Sequence, residues 1–330
     1  MTELKYYLLD RGRRFSLLLD ERNKTNGFLL LILANMIWGG NFVIGRIGVD
    51  YFPPVLFSLM RWIIAFLLLT PFLTKQLKND WNVIRKHMKI LLLLAVTGIA
   101  GYNTIIYFAL QYTTSINASV VNSTTPLFIA ILAVFLLREK LLAHHAAGII
   151  LSVFGILFVI SKGSVEVFLS WEINAGDFYV LAAVFMWALY SVIVKKYADV
   201  LPLVSSFYVS VFLGIFLLAP LSLIEYLWLE AAKPVFTLPS IGILLYVGFL
   251  ASIMAFLSWN FGVHIIGAAK AGVFLNLLPV FAIIFALCFT QEKLYLYQII
   301  GGGIVILGVV LSSRKSLRFK NHPQEDKFSA

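Results

Sequence analysis

The chain has 330 residues, of which 61% are hydrophobic and 13% charged, and its mean hydropathy is +0.92. A soluble domain of this length does not bury so much apolar surface, so the composition excludes an ordinary soluble protein and favours lipid as the solvent. The net charge of +10 lies between the apolar runs, where charge sets membrane orientation, so we expect no nucleic-acid partner. The single cysteine, Cys288, lies in an apolar run and excludes an intrachain disulfide, and we expect neither a metal site nor a cofactor.

Apolar segments of spanning length, roughly 17–25 residues, follow a polar and basic start in which we find no removable signal peptide. The sequence predicts an all-α integral membrane protein with ten transmembrane helices. The predicted spans are Gly27–Val49, Pro54–Thr74, Met88–Gln111, Ile116–Leu137, His145–Ser161, Phe178–Val194, Val204–Trp228, Ser240–His264, Ala268–Phe289 and Tyr297–Ser312. The longest connections are Lys75–His87 and Lys162–Asp177, so no soluble domain fits between the helices.

Lysine and arginine are distributed unequally between the two ends of these spans. With the N-terminus in the cytoplasm, 21 of the 26 basic residues fall on the cytoplasmic side, and the other side holds Lys162, Lys233 and Lys293. The remaining two, Arg46 and Arg61, lie inside spans. The positive-inside rule therefore predicts a multi-pass protein of the cytoplasmic (inner) membrane with both termini in the cytoplasm.

The second half of the chain repeats the first. One set of positions recurs at an offset of 153 residues and pairs Pro126 with Pro279, Glu139-Lys140 with Glu292-Lys293, Gly148 with Gly301, and Gly155 with Gly308. A second set, at an offset of 149, pairs Trp38 with Trp187 and Arg46 with Lys195. Each repeat holds five predicted helices, and because five is odd the second copy enters the membrane from the opposite side. Inverted repeats are typical of alternating-access carriers, whose substrate site lies near the midplane between the halves.

The ordered motifs resemble those of a known family. Helix 1 carries Trp38-Gly39-Gly40-Asn41-Phe42, which is similar to a W-G-x-N-F start, and Pro53-Pro54 followed by Arg61 is similar to the family's helix 2 pattern. Pro126, then Glu139-Lys140 and two glycines, resembles the P…E…G…G signature, and the second half repeats it. Over residues 27–313 the chain therefore resembles the EamA family of the drug/metabolite transporter superfamily.

This resemblance implies ten helices in two inverted five-helix repeats, and an exporter of amino acids or other small metabolites in the cytoplasmic membrane. The second copy departs from the pattern, because Trp187 is followed by Ala188 rather than glycine and helix 7 has no arginine. The implied organisation is a cytoplasmic N-terminal tail (1–26), a first repeat (27–161), a non-cytoplasmic linker (162–176), a second repeat (177–313) and a cytoplasmic C-terminal tail (314–330).

Two helix faces are candidates for the walls of a central cavity. Steps of three and four residues place their members on one side of each helix. They are Asn35, Trp38, Phe42 and Arg46 in helix 1 and Val184, Trp187, Ser191 and Lys195 in helix 6. Tryptophan offers a flat apolar surface and one N–H donor, which suits an amphiphilic metabolite. The alternative is plain helix packing.

Polar and aromatic side chains in helices 3, 4, 8 and 9 complete the candidate cavity. They are Tyr102, Asn103, Tyr107, Asn122, Trp259, Asn260 and Asn276. An asparagine in lipid needs a partner, which is either a neighbouring helix or a substrate. Pro126 and Pro279 either break their helices and free backbone carbonyls toward the cavity or only kink them.

The charged candidates are few. Arg46 and Arg61 are both predicted in the outer half of the membrane, where together they could receive a carboxylate or a phosphate, or where each could reach the interface or bond backbone carbonyls. Lys195, His264 and Lys270, near cytoplasmic helix ends, are candidates for gating. No Asp or Glu lies in the middle of a predicted span, so facilitated efflux or exchange is as consistent with the sequence as proton coupling.

The sequence thus predicts a secondary transporter, not an enzyme, that exports or exchanges a small metabolite, with an amino acid as the first candidate. One alternative is a nucleotide or phosphorylated-metabolite exchanger that uses Arg46, Arg61 and Lys270 as phosphate ligands. The others are an integral-membrane enzyme, for which His144-His145 with Glu139 is the candidate cluster, and a non-transporting membrane scaffold. The expected partners are a small-molecule metabolite and the lipid bilayer, with a homodimer as the candidate assembly.

Overall fold

The structure, a computed structural model, describes residues 24–138, 143–169, 174–228, 233–266 and 274–312. All regular elements in these ranges are helical, and none of the described residues forms a strand. Seven helices are long and apolar enough to cross a membrane, and three shorter apolar helices lie where the other spans were predicted: Ala146–Ile160, Leu277–Phe289 and Leu296–Leu311. The all-helical prediction is confirmed for this part of the chain, and the number of ten spans stays a prediction.

Within its described residues, the first half contains seven α-helical segments: α1 (Lys24–Gly48), α2 (Pro54–Lys86), α3 (Met88–Leu94), α4 (Tyr102–Leu110), α5 (Ser115–Asn122), α6 (Thr125–Leu137) and α7 (Ala143–Ile160). A short helix, α8 (Val165–Leu169), lies in the connection between the halves. The second half contains α9 (Ala175–Lys196), α10 (Leu203–Trp228), α11 (Leu238–Leu245), α12 (Ala255–Ile266), α13 (Leu277–Phe289) and α14 (Leu296–Ser312). Two π-helical segments join collinear helices: π1 (Ala95–Gly101) between α3 and α4, and π2 (Tyr246–Met254) between α11 and α12.

The packing of the helices repeats when the two halves are exchanged. Helix α1 packs against α12 and α13, and its counterpart α9 packs against α4 and α6; α2 packs against α10, and α7 against α14. Interruptions also recur, since π1 and π2 occupy equivalent spans, and Pro71 inside α2 matches Pro220 inside α10 at an offset of 149 residues. The duplication seen in the sequence is therefore also a duplication of contacts: the α1 interfaces are mirrored by those of α9, whereas α2 with α10 and α7 with α14 each pair a helix with its own counterpart.

Helix α2 is longer than the sequence predicted. We predicted a connection over Lys75–His87, but the helix continues to Lys86, so this prediction is wrong. No glycine or proline follows Pro71 in this helix. The extension also has apolar contacts, because Ile84 is fully buried and Leu77 packs into the same cluster. The helix therefore continues beyond the predicted span because one side of it is still covered by protein.

The helices that carry the two motif prolines are interrupted, in each case just before the proline. Helix α5 ends at Asn122, a turn over residues 123–124 follows, and Pro126 is the second residue of α6. In the second half a turn at residues 275–276 precedes α13, in which Pro279 is the third residue. Proline is favoured in the first turn of a helix because its missing N–H has no intrahelical partner there. The carbonyls at the end of α5 do not become free, since the hydroxyls of Ser123, Thr124 and Thr125 donate to the carbonyls of Val120, Val121 and Asn122.

The motif glycines bring α7 and α14 into close contact. A Cβ on Gly155 would lie 2.9 Å from the carbonyl oxygen of Gly301, and one on Gly308 would lie 2.7 Å from the carbonyl oxygen of Gly148. These distances are too short for any side chain, so the small-residue faces serve helix packing.

Candidate functional site

A central cavity with about 800 Å³ of empty space lies between the two halves. Its walls come from α1, α2, π1, α4, α9, α10, π2 and α12, together with the interrupted helices near residues 123 and 275. The described lining consists of Trp38, Asn41, Phe42, Arg61, Trp62, Gly98, Ile99, Tyr102, Asn103, Asn122, Ser123, Thr125, Pro126, Trp187, Tyr190, Phe207, Ala251, Ser252, Phe256, Leu275 and Leu278. A concave site lined by aromatic and polar side chains together is typical of sites that hold small ligands.

Arg61 is the charged residue of the described lining, and its side chain is held by neighbours from three helical elements. Its Nε donates to Ser252 Oγ at 2.6 Å, and its Nη1 donates to Tyr107 OH at 2.9 Å and to Asn41 Oδ1 at 3.3 Å. The guanidinium carbon also lies 5.1 Å from the centre of the Trp62 ring. With 4% of its surface exposed, the residue is buried and fixed in orientation.

No carboxylate neutralises this guanidinium among the residues that the structure describes. The oxygens that accept from Arg61 belong to an amide and two hydroxyls, and the ion pair found within 4.0 Å in these ranges is the one between Arg46 and Asp50. The second terminal nitrogen, Nη2, has no hydrogen-bond partner in the same part of the chain. A buried charge without a counter-ion is costly, and in proteins such charges are normally paired. The unbalanced charge of Arg61 therefore makes this part of the cavity favourable for a negatively charged group.

Aromatic rings form the apolar walls on both sides of the cavity. Trp38 packs against Trp259 with ring centres 5.7 Å apart, and its Nε1 donates to the carbonyl oxygen of Ala251 at 3.1 Å. On the other side Trp187 lies 4.9 Å from the ring of Tyr102 and 5.1 Å from that of Tyr190. The two tryptophans that the sequence repeat pairs are thus both cavity walls, each supported by a second ring.

The structure brings eight of the predicted residues together on the lining: Trp38, Phe42, Arg61, Tyr102, Asn103, Asn122, Trp187 and Pro126. Tyr107 and Trp259 lie directly behind it, in contact with Arg61 and Trp38 respectively.

Other predicted residues are used for helix packing and do not line the cavity. Asn35 donates to the carbonyl oxygen of Leu31, Ser191 to that of Trp187, and Asn260 to that of Phe256, in each case four residues earlier in the same helix. Asn276 precedes α13 in the turn, and Pro279 is buried within that helix. A polar side chain that bonds the backbone of its own helix needs neither a neighbouring helix nor a substrate as its partner, so the polarity of these residues does not indicate a cavity.

The predicted pair of intramembrane arginines does not form. Arg46 lies in the last turn of α1 and makes an ion pair with Asp50 at 3.1 Å, with 35% of its side chain exposed, so it has its own counter-ion away from the cavity. Lys195 lies in the last turn of α9 and is exposed. The side chain of His264 and the whole of Lys270 lie outside the described residues, as do Glu139, Lys140 and the side chains of His144 and His145.

Sequence reasoning missed several lining residues. Asn41 shares a helix face with Trp38, three residues earlier, and this spacing could have identified it. Tyr190 follows Trp187 by the same three residues and could have been identified in the same way. Trp62 and Ser252 gave no such signal, because their place on the lining depends on how the two halves pack.

Three carboxylates join the two halves at one end of the bundle, which we call the outer end after the orientation that the sequence predicts. Glu225 accepts from the backbone N–H groups of Val55 and Leu56 at the start of α2, and Glu292 accepts from those of Ser115 and Ile116 at the start of α5. Asp177 accepts from the side chains of Thr113 and Asn117. A carboxylate satisfies the unpaired N–H groups of a helix start and the positive end of its dipole. Each of these bonds joins the second half to the first, so together they hold the two halves in contact at the outer end.

The family and the relatives that this chain resembles are named as transporters. The EamA-like transporter family matches residues 25–161 and 174–314. The uncharacterized transporter YyaM of Bacillus subtilis is 30% identical over 87% of this chain and 93% of its own, and an uncharacterized transporter of Archaeoglobus fulgidus is 30% identical over 87% and 97%. A crystal structure of another protein aligns with a TM-score of 0.58 over 87% of this chain and 96% of its own, at 18% identity, which is a likeness of fold.

Proposed function

The chain belongs to the EamA-like transporter family, and we propose that it is an alternating-access carrier for a small metabolite that bears a carboxylate group. Its relatives are named as transporters, which supports membrane transport rather than enzymatic activity as the general function. Amino acids, the substrates that the sequence suggested first, belong to the proposed class, and so do organic acids.

The observation that carries this proposal is the unpaired charge of Arg61. A guanidinium presents N–H donors in the planar geometry that a carboxylate accepts, and a ligand carboxylate would supply the missing counter-ion. The aromatic walls around it supply apolar surface for the rest of the ligand. The ligand supported best is therefore anionic at one end and apolar at the other.

A phosphate ester or nucleotide is supported less well. That alternative required Arg46, Arg61 and Lys270 as joint ligands, but Arg46 is paired with Asp50 and Lys270 lies outside the described residues. A phosphate monoester carries nearly two negative charges at neutral pH, whereas the described lining offers one positive charge.

Alternating access is supported by the mirrored interfaces of the two halves. Because each contact between them has a counterpart, rocking one half against the other can open one end of the cavity while closing the opposite end. The carboxylates at the outer end are suited to closing that end. We further propose that the termini face the cytoplasm and that the carrier exports or exchanges its substrate across the cytoplasmic membrane.

The test is transport in proteoliposomes loaded with unlabelled amino acids and organic acids, with labelled members of the same set supplied outside. Arg61→Gln removes the unpaired charge, and Arg46→Gln is the matched control because it removes an arginine of the same membrane half that already has a counter-ion. A charge-assisted hydrogen bond contributes about 1.5–3 kcal/mol, so we expect Arg61→Gln to lower transport efficiency by roughly 10- to 100-fold.

The control Arg46→Gln should stay within about twofold of the wild type. Normal transport of carboxylates by a folded Arg61→Gln variant would refute the proposal. So would an equal loss in both variants, because the effect would then not depend on the cavity.

A further inference from the structure

The net charge of the cavity lining distinguishes a simple carboxylate ligand from a zwitterionic one, which carries an ammonium as well. Arg61 is the charged residue of the described lining, on which no Asp or Glu lies. A ligand with one carboxylate and no other charge would make the site neutral, whereas a zwitterion would leave its ammonium without a counter-charge. Resting on the proposed function, we infer that the cavity selects amphiphilic monocarboxylates without an ammonium group over zwitterionic amino acids.

Several backbone carbonyls of the cavity already accept a hydrogen bond from a side chain. Three carbonyls of lining residues in the π-helical segments each accept an N–H from a side chain: Gly98 from Asn103 Nδ2 at 3.3 Å, Ile99 from Trp62 Nε1 at 3.0 Å, and Ala251 from Trp38 Nε1 at 3.1 Å. A π-helical turn alters the carbonyl pattern of a helix and is frequent at functional sites. Here its carbonyls serve to fix indole and amide side chains.

The amide oxygens of the lining are also largely engaged. Asn41 Oδ1 accepts from Arg61, and Asn122 Oδ1 accepts from Tyr102 OH at 3.1 Å. Of the lining amides, Asn103 thus keeps a neutral oxygen without a partner in the described chain. The hydroxyl oxygens of Ser123 and Thr125 also keep lone pairs, because these groups donate to backbone carbonyls. An ammonium, which has three N–H donors and no acceptor, would therefore find only neutral oxygens on the described lining and no negative charge.

Aromatic faces attract cations, but here that attraction is too weak to reverse the preference. The rings of Tyr102 and Trp187 lie 4.9 Å apart and offer such faces. Cation–π attraction is smaller than the free energy needed to remove an ammonium from water. In an α-amino acid bound through its carboxylate, the ammonium would also lie close to the positive charge of Arg61. The described lining therefore offers a positive charge to an anion and only neutral acceptors to a cation.

Binding of two matched series of compounds to the purified full-length protein tests this inference. The aromatic series is 3-phenylpropionate, L-phenylalanine and phenethylamine, and the aliphatic series is 4-methylpentanoate, L-leucine and isopentylamine. Within each series the apolar part is constant, and the three members carry a carboxylate, both charges or an ammonium. Calorimetry with the protein in nanodiscs gives each Kd, for the wild type and for Arg61→Gln.

We expect the monocarboxylate of at least one series to bind about tenfold or more tightly than its amino acid, and the amine to bind most weakly. In Arg61→Gln the monocarboxylate should lose its advantage. Tighter binding of the amino acids, still dependent on Arg61, would overturn the inference and leave the proposed function intact. Binding that does not depend on Arg61, or no binding in either series, would overturn the proposed function as well.

A gain-of-function variant tests the same inference in the opposite direction. Asn122→Asp keeps an oxygen that can accept from Tyr102 OH and adds a negative charge to the lining. If the missing counter-charge causes the selectivity, the ratio of the two Kd values should move toward the amino acid by about tenfold. A folded Asn122→Asp variant with an unchanged ratio would contradict the explanation.

Discussion

Replacing Glu292 with glutamine should shift the carrier toward an open outer end. Glu292 follows α13 in the second half, and both of its carboxylate oxygens bond the first half. Oε1 accepts from Ser115 N at 2.9 Å and from Ser115 Oγ at 2.7 Å, and Oε2 accepts from Ile116 N at 3.0 Å. These two N–H groups begin α5 and have no partner within the helix. The bonds exist only while the outer ends of the halves are together.

The size of the effect follows from what glutamine removes. Its amide keeps one acceptor oxygen but presents N–H donors where Oε2 now accepts from Ile116, and it carries no charge for the dipole of α5. Loss of a capping acceptor at a helix start costs about 0.5–2 kcal/mol, and we take about 1–2 kcal/mol because two N–H groups share this carboxylate. Since the loss affects only the closed arrangement, the ratio of open to closed molecules should rise by about 5- to 30-fold.

Cysteine labelling from outside the cell measures this ratio. The chain has one cysteine, so Cys288→Ser gives a background without thiols, and Ser123→Cys places a reporter of similar size on the cavity lining. In intact cells a membrane-impermeant maleimide should label the reporter about 5- to 30-fold faster when Glu292→Gln is present. The reporter lies between α5 and α6, so it reports entry to the cavity itself.

Asp80→Asn is the matched control at the opposite end of the bundle. Asp80, in the extension of α2, accepts a hydrogen bond from Ser205 at the start of α10, and this contact also joins the two halves. Its loss should not increase labelling from outside. An unchanged labelling rate in a folded Glu292→Gln variant would refute the closing role of the carboxylate. A similar increase in both variants would show general loosening and refute it equally.

Two further predictions test the packing and the apolar wall. Gly308→Ala should destabilise the protein by about 1–3 kcal/mol, because the added Cβ would lie 2.7 Å from the carbonyl oxygen of Gly148. Gly303→Ala, on the same helix, is the control, because a Cβ at that position meets nothing within 4 Å. The control should not lower the melting temperature measured in detergent. An equal loss of melting temperature in both would contradict the packing argument. Trp187→Ala should weaken the binding of 3-phenylpropionate by about tenfold and change the affinity for acetate by less than about twofold, as measured by competition. Equal losses of affinity for both ligands would show that the ring holds Arg61 in place and does not contact the apolar part of the ligand.

Much of the architecture could be predicted because it repeats in the sequence. The fixed offsets located equivalent helices, and Trp38 and Trp187, which the repeat pairs, both line the cavity. On the predicted face of α1, Trp38 and Phe42 line the cavity, whereas Asn35 and Arg46 at its two ends have other contacts. A helix face is continuous in sequence, whereas a cavity covers only the part of it where neighbouring helices diverge.

The sequence itself distinguishes Arg46, which has a counter-ion nearby, from Arg61, which has none. Asp50 lies four residues after Arg46, a spacing at which side chains on one helix face meet, and the two form an ion pair. No acid lies within four residues of Arg61. The roles of Glu225 and Glu292 could not be predicted in this way, because their partners lie about 170 residues away and depend on the packing of the halves. Sequence periodicity places such carboxylates at helix ends without identifying which helix start they cap.

The cavity is built by a symmetric fold, but its charge is not symmetric. In α10, the residue that corresponds to Arg61 at the offset of 149 residues is Ser210. Ser210 is buried, and its hydroxyl donates a hydrogen bond to the carbonyl oxygen of Leu91. A second arginine there would put two uncompensated guanidinium groups beside one cavity, and their repulsion would add to the cost of burial. Under the proposed function, a single cation in this two-fold fold would bind the anionic end of a ligand on the side of the first half and would leave the aromatic residues of the second half for its apolar end. The departure of helix 7 from the repeat is therefore what makes one oriented site from two equivalent halves.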